Sequence, residues 1–404
     1  AFDMTTRITI VGAGIIGLAT ARAIKRRLPE AAVTVVDKAS TVAAHQSGHN
    51  SGVLHSGIYY TPGSMRARTC REGLQLMEAY CDENQIPWKR CGKVIVVTRE
   101  DELKRLDALR SRGLENGVDC TKIDRQALGD IEPHVNGLAG LHVPSTGVVD
   151  YVSVCQTLAR ELNGHGKLLL NQGVRRIERR SGHARIITDG AQWDSDLVIS
   201  CCGLHADRVA RASGTRSGIR ILPFRGEYWK LRPTAAPMVR GLVYPVPDPA
   251  MPFLGVHFTR TIHDDVEAGP SAVPALSREG YRWGDINLFD AMESACALRT
   301  WKLAARWWKN GLGEIHRSLS STQALQSMRH LLPELGAGDI ERSVSGVRAQ
   351  AVDRDGRLID DFLIEADGPV IHVLNAPSPA ATASLAIAEQ IVDRGLVQLE
   401  SRED

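Results

Sequence analysis

An excess of either charge is nearly absent from this chain. Lysine and arginine number 49 against 47 aspartates and glutamates, for a net charge of +2. So small an excess argues against a general nucleic-acid binder. Long apolar runs are missing too, and none approaches the length that spans a bilayer. No signal peptide and no Arg-rich transit segment stands ahead of Ile8, and Ala1-Phe2-Asp3 reads as a lead-in foreign to a natural start at Met4. The expected location is a cytoplasm, bacterial in kind. The eight cysteines are scattered without a CxxC pair, so reduced thiols are expected and no metal site is. Neighbours such as Cys201 and Cys202 would strain a mutual bridge. Repeats and low-complexity segments are also lacking. What remains is a globular composition, 43% hydrophobic and 24% charged over 404 residues, enough for two domains.

What is present is concentrated between Ile8 and Gly57. An apolar run, Ile8 to Val11, leads into Gly12-Ala13-Gly14-Ile15-Ile16-Gly17, and an apolar helix pattern continues through Ala23. A second apolar run from Val33 ends on Asp37, about 20 residues beyond the last glycine. This is strand, tight turn, helix, strand, acid. Gly12 permits the turn, Gly14 admits a pyrophosphate to the backbone, and Gly17 lets the helix pack on the sheet. The helix N-terminus offers free N–H groups to the phosphates, and Asp37 can accept hydrogen bonds from an adenosine ribose. Glycines also serve ordinary turns, but here every part of the dinucleotide motif is in place.

A polar, glycine-rich loop from Ala43 to Gly57 follows where a simple nicotinamide enzyme would resume helix, which suggests a larger cofactor. Helices are expected over Ser64–Gln85, Glu100–Asn116 and Val152–Leu162. Strands are expected at Lys93–Thr98, Lys167–Leu170, Val174–Arg179, Ala184–Thr188 and Leu197–Cys201. A β-rich region begins with Phe224–Leu231 and Gly241–Val246 and runs to about Ala272. Helix then dominates from Ile286 to Met328, and strand Val370–Leu374, loop Asn375–Ala381 and helix Thr382–Arg394 close the chain. No second GxGxxG appears. With FAD as the dinucleotide, electrons would enter from an organic substrate and leave to a quinone, another carrier or oxygen.

Several segments carry a resemblance: His45 to Tyr60, Pro223 to Tyr228, Tyr244 to Pro249, Pro252 to Arg260, Gly346 to Val352 and Asn375 to Thr382. With these the chain resembles, nearly end to end, the FAD-dependent L-2-hydroxyglutarate dehydrogenases, or oxidases, of the wider amino-acid-oxidase-like superfamily. It departs modestly in Thr261–Glu267, at Ser271 and in Val273–Ser277. The resemblance implies an α/β fold: a Rossmann-like FAD-binding domain of the glutathione-reductase type with an inserted, mainly antiparallel β-sheet cap. FAD would be held by residues 4–90, 150–222 and 340–404, and substrate by 91–149 and 223–339. The implied reaction oxidises L-2-hydroxyglutarate to 2-oxoglutarate by hydride transfer from Cα to flavin N5, a task of metabolite repair. An amino- or imino-acid oxidase of the same fold is the rival, and a non-catalytic FAD-binding protein a more distant one.

Removing the hydroxyl proton needs a base within hydrogen-bond reach, and histidine suits it. His55, in the loop that the family places beside the isoalloxazine, is the first candidate, although it could merely orient that loop. His257 is the second. Strand alternation sends His257 and Thr259 one way and Phe258 and Arg260 the other, so Arg260 could instead be a surface or inter-strand ion pair. Arg225, Arg260 and Arg348 are candidate cations for two carboxylates, since a guanidinium matches a carboxylate bidentately. If one serves the distal carboxylate, lactate would leave it unpaired at a cost of roughly 2–5 kcal/mol. Tyr60, Tyr228, Tyr244 and Asn375 are further candidate substrate contacts.

The resemblance also implies cofactor contacts. Gly12, Gly14, Ile15, Gly17, Asp37 and Lys38 come from the first βαβ unit. Ser47, His49, Asn50, Ser51 and Leu54 come from the loop after it, and Val174, Cys202 and Gly203 from the middle of the chain. Arg348, Ser378, Pro379, Ala380 and Ala381 come from the end, where a helix dipole would stabilise a reduced, anionic flavin. Finally, residues 289–312 read as one basic helix carrying Arg299, Lys302, Arg306 and Lys309 with Trp301, Trp307 and Trp308. Such a helix could anchor the protein peripherally on the inner face of a membrane, near a quinone acceptor. It could equally be a cap helix with buried tryptophans.

Overall fold

The computed structural model describes residues 6–249 and 254–401, without the side chains at 308–310, 312 and 317. The start at Met4, the Pro252-Phe253 part of one motif, and the side chains of Trp308 and Lys309 lie outside the described residues.

Five parallel strands form the first layer, in the order Val370–Asn375, Leu197–Ser200, Arg7–Val11, Ala32–Val36 and Gly166–Leu169, with Leu363–Asp367 antiparallel at one edge. Their near-continuous apolar runs suit a sheet that is covered on both faces. Ile8, Ile10, Val33, Val35 and Ile199 pack on one face against helices Ile15–Arg27, Tyr151–Leu162 and Ser384–Glu400. Alternate residues Val36, Val198 and Val370 pack on the other against Ile177 and Ile186 of a three-stranded antiparallel sheet over residues 174–195. The glycine turn sits at the C-terminal end of Arg7–Val11, between neighbours that come from different parts of the chain. A ligand crevice belongs there in a doubly wound sheet.

A nine-stranded sheet forms the second layer. Its central strands run His257–Arg260, Leu242–Pro245, Lys93–Val97 and Ala139–Val143, and the long strands Arg220–Leu231 and Ile340–Val352 pair at one side. All pairings are antiparallel except that of Leu242–Pro245 with Lys93–Val97. One face buries Val94, Val96, Val243 and Phe258 against helix Ser321–Arg329. Lys93, Leu242, Tyr244 and His257 occupy the opposite parity.

The expected helix over 289–312 is divided. Helix Leu288–Cys296 ends at Ala297, whose extended backbone (φ −78°, ψ 114°) also opens helix Leu298–Leu319, itself kinked at Trp307. Arg299 turns inward and donates to the carbonyls of Gly218 and Val352, and Lys302 to that of Arg354. Trp307 packs beside Leu222, Leu303 and Val352. The exposed apolar surface lies earlier, on Leu288, Phe289, Met292, Leu298 and Trp301, which are 63–75% exposed. No helix among the described residues is long and apolar enough to cross a membrane.

Candidate active site

One cavity of about 1090 Å³ runs along the C-terminal ends of the parallel strands and beneath the second sheet. Small-molecule sites span roughly 300–1,000 Å³, so this one suits a large cofactor with a substrate beside it. At one end stand Gly12, Gly14, Ile15, Asp37, Lys38, Val174, Cys202 and Gly203; the middle carries Ser47, His49, Asn50 and Ser51. His55, Tyr60, Tyr228, Tyr244, His257, Arg348, Asn375 and the loop Ser378–Ala381 enclose the other end.

The first end fits a dinucleotide on its own geometry. Gly12 has φ +112°, and a Cβ there would lie 2.4 Å from the Cys201 carbonyl oxygen. Gly17 does not reach the cavity. A Cβ on it would stand 1.9 Å from the Gly12 oxygen, so its glycine is required by helix–turn packing. The Asp37 carboxylate accepts from the Ala13 and Ala39 N–H groups at 2.6 and 2.8 Å, which fixes its direction. Ser47 accepts from the Ile15 N–H at 2.9 Å across the helix N-terminus. Lys38 pairs with Glu279, which also meets His205 at 2.7 Å. Burial would push that carboxyl up, but the hydrogen bonds from His205 and Lys38 bring it down to about 2.

At the other end, His257 and Gly255 fix a tautomer. A carbonyl only accepts, so the imidazole Nδ1 donates to the Gly255 oxygen at 2.9 Å, leaving Nε2 as the acceptor. The ring stacks on Tyr244 with centroids 4.0 Å apart. His55 has Nε2 3.5 Å from the Ser378 hydroxyl, and Nδ1 has no partner among the described residues. Part of its surface opens to the cavity, yet protein surrounds it in depth. Burial first, then the positive charges of Lys93 and Arg348, push both imidazoles down to about 3. Two neutral histidines thus stand at one end of the cavity, His257 with Nε2 left as an acceptor and His55 with Nδ1 buried and Nε2 beside the Ser378 hydroxyl. Arg348 and Ser51 stand beside the Tyr228 phenol, whose pKa is raised mainly by burial and held down in part by the Arg348 charge.

Three residues named from the sequence point elsewhere. Arg225 is buried on the far face of its strand, donating to Glu227 at 3.1 Å and to the Arg282 carbonyl at 2.6 Å. Gly226 and Tyr228, of opposite parity, take the cavity side. Arg260 donates to the Val239 carbonyl at 2.9 Å and pairs with Asp264, as alternation along the strand requires. Leu54 is fully buried in the helix-side core of the parallel sheet. Asn375 lines the cavity, but its amide nitrogen is spent on the carbonyls of Ile359 and Asp361.

Sequence reasoning passed over Tyr59, Arg66 and Lys93. Tyr59 lines the cavity with a buried phenol oxygen that has no partner among the described residues. Arg66 stacks at 4.5 Å over Tyr60 and donates to the carbonyls of Asp360 and Ser378. Lys93 lies behind the wall. Its signal was a lysine opening an otherwise wholly apolar strand.

The model of the FAD dependent oxidoreductase family matches residues 7–394. The chain belongs to this FAD-dependent oxidoreductase family. Its cofactor is FAD, in accord with the glycine turn and the fixed Asp37 carboxylate. The L-2-hydroxyglutarate dehydrogenase of Indibacter alkaliphilus is 42% identical, over 97% of this chain and 99% of that one. The Escherichia coli K12 protein of the same name is 40% identical over 97% and 94%. In structure, the FAD-bound L-alpha-glycerophosphate oxidase of Mycoplasma pneumoniae superposes with a TM-score of 0.77, covering 98% of this chain and 95% of that one. At 21% identity that likeness speaks for the fold alone. The fold is thus that of a flavin oxidoreductase, with a mainly antiparallel sheet laid over the flavin crevice.

Proposed function

We propose that this family member oxidises L-2-hydroxyglutarate to 2-oxoglutarate. Near end-to-end relatives of that name support the substrate. The observation that carries the chemistry is the pair of neutral histidines that line the cationic end of the cavity. FAD, when bound, accepts the two electrons and the hydrogen that leave the substrate carbon. The chain supplies the rest. His257 offers Nε2 to the substrate hydroxyl as it loses its proton, and His55 stands beside it with Nε2, near the Ser378 hydroxyl, as its own nitrogen for that task. Arg348 meets a carboxylate, with the Tyr228 and Tyr244 phenols beside it as donors. A dianion arriving among these cations offsets the charge that depresses the imidazoles, which makes them better bases when the substrate is in place.

In this reading residues 4–90, 150–222 and 340–404 hold FAD, and 91–149 with 223–339 hold substrate. The proposed electron acceptor is a quinone, reached through a peripheral membrane contact made by the exposed apolar residues of helices Leu288–Cys296 and Leu298–Leu319. The deciding experiment is anaerobic mixing of flavin-loaded protein with L-2-hydroxyglutarate, its D-enantiomer, L-lactate and amino acids. Bleaching of the oxidised flavin band by the L-diacid, with lactate at least tens-fold poorer, is the expected result. Bleaching by an amino acid alone would overturn the reading.

A further inference from the structure

Lys93 opens a strand whose residues are all buried, and it is itself 1% exposed. Parallel pairing opposite Leu242 gives it the same sheet face as Tyr244, the face toward the cavity. Its ammonium lies 4.7 Å from the centre of the Tyr59 ring and 4.8 Å from that of Tyr244. Both tyrosines line the cavity, and Tyr244 in turn stacks on His257. The ammonium has no hydrogen-bond partner among the described residues. Around it are the thiols of Cys70 and Cys91, the two phenols, and the imidazoles of His55 and His257. On the adjoining strand Ala139–Val143 the titratable group is His142, which turns toward Gly92. None of these is a carboxylate.

Burying an ammonium without a counter-charge is unfavourable, and ring faces replace its water only in part. A fold that keeps such a charge against the substrate end of a cavity has placed it where an anion will feel it. We propose that Lys93 is a positioning residue of the reaction: its ammonium, sealed behind the Tyr59 and Tyr244 rings, supplies the fixed positive charge that holds a dianionic 2-hydroxy acid against His55 and His257. This inference rests on the substrate reading above. The ring faces attract the cation, and the cation in turn makes the phenols stronger donors toward a carboxylate. Burial first, and the same charge after it, lower the basicity of both imidazoles, so they are neutral before the substrate arrives. Burial also brings the lysine down to about 8. Its charge, and the hold on a dianion, is therefore lost as pH rises through that region.

The test uses flavin-loaded protein and Lys93→Met, which keeps the volume and removes the charge. The variant should retain its FAD. Its kcat/KM for L-2-hydroxyglutarate should fall at least tenfold and that for L-lactate less than threefold. The acid limb of its pH profile should move to higher pH, because imidazoles freed of the cation hold their proton longer. In the wild type, 2-oxoglutarate affinity read from the flavin spectrum should weaken above about pH 8. A loaded variant with an unchanged diacid preference and acid limb would overturn the proposal. If the variant fails to load, a wild-type affinity that is flat up to pH 9.5 would do so. Wild-type flavin left oxidised by L-2-hydroxyglutarate is a different result, which overturns the substrate reading itself.

Discussion

Replacing Arg225 with methionine should cost stability and spare the substrate. The guanidinium is buried between Glu227 at 3.1 Å, the Arg282 carbonyl at 2.6 Å and the Trp283 ring, whose centre is 4.4 Å away. Methionine keeps an apolar stem there and removes the charge. Glu227 is then left with the Ser318 hydroxyl and with Arg342 at 3.7 Å. Arg342 has a side chain 51% exposed, so water screens most of its help. Breaking a buried pair from one side costs about 3–5 kcal/mol. Unfolding entropy of roughly 2.1 cal/mol/K per residue gives about 0.85 kcal/mol per kelvin for the 404-residue chain melting as one unit. The Tm should therefore fall by about 4–6 °C. KM for L-2-hydroxyglutarate should stay within about twofold, because the side chain faces away from the cavity. Adding Glu227→Gln should recover most of the loss, since no buried charge is then stranded. Calorimetry of the flavin-loaded variants with parallel steady-state kinetics decides the matter. A tenfold rise in KM at an unchanged Tm would refute the assignment and return Arg225 to the substrate.

Two further outcomes concern regions away from the flavin. His372 is fully buried, with Nε2 3.1 Å from the hydroxyls of both Ser213 and Thr215, and burial pushes it down to about 4. The unfolded chain, with a histidine near 6.5, binds that proton first, so stability falls as pH drops from about 6.5 to about 4. Between pH 6.5 and 5 this is about 2 kcal/mol, and His372→Gln should shrink the loss of Tm over that interval by about 2 °C; equal pH dependence in the two proteins would exclude it. At the membrane-facing candidate, serine at Leu288, Phe289, Leu298 and Trp301 should cut co-sedimentation with anionic liposomes severalfold and leave turnover with a soluble dye unchanged. Undiminished sedimentation would sink the membrane contact.

The glycine turn and the fixed Asp37 carboxylate were legible because they answer to local backbone geometry. Gly12 needs positive φ and Gly17 a bare Cα. Asp37 is fixed by amides only one strand and one turn away. Such requirements leave a spacing in the sequence, and the spacing can be read. The division of residues 289–312 left none, since no proline or glycine marks Ala297 and a basic run reads as one continuous helix. Parity along strands was half legible. The alternation that separates His257 from Arg260 follows from the sequence, and applying it to Gly226 and Tyr228 would have removed Arg225 as well.

Lys93 shows where such reasoning ends. A lysine at the first position of a strand ordinarily sits at a solvated edge, and nothing in its neighbours along the chain denies that. It is sealed by Tyr59 and Tyr244, far apart in sequence, and by a parallel pairing that needs both layers assembled. The charges of this protein consequently sort by what meets them. Arg225 and Arg278 meet carboxylates, Glu227 and Asp207, and serve the packing of segments. Arg66 meets carbonyl oxygens and Lys93 meets ring faces, neither of which cancels a full charge. Positive potential therefore survives folding at the end of the cavity where the two neutral histidines stand. A substrate bearing two carboxylates completes that balance, whereas a neutral amino acid carries its own cation into it. The electrostatics thus favour the hydroxy diacid over the amine on grounds independent of the relatives' names.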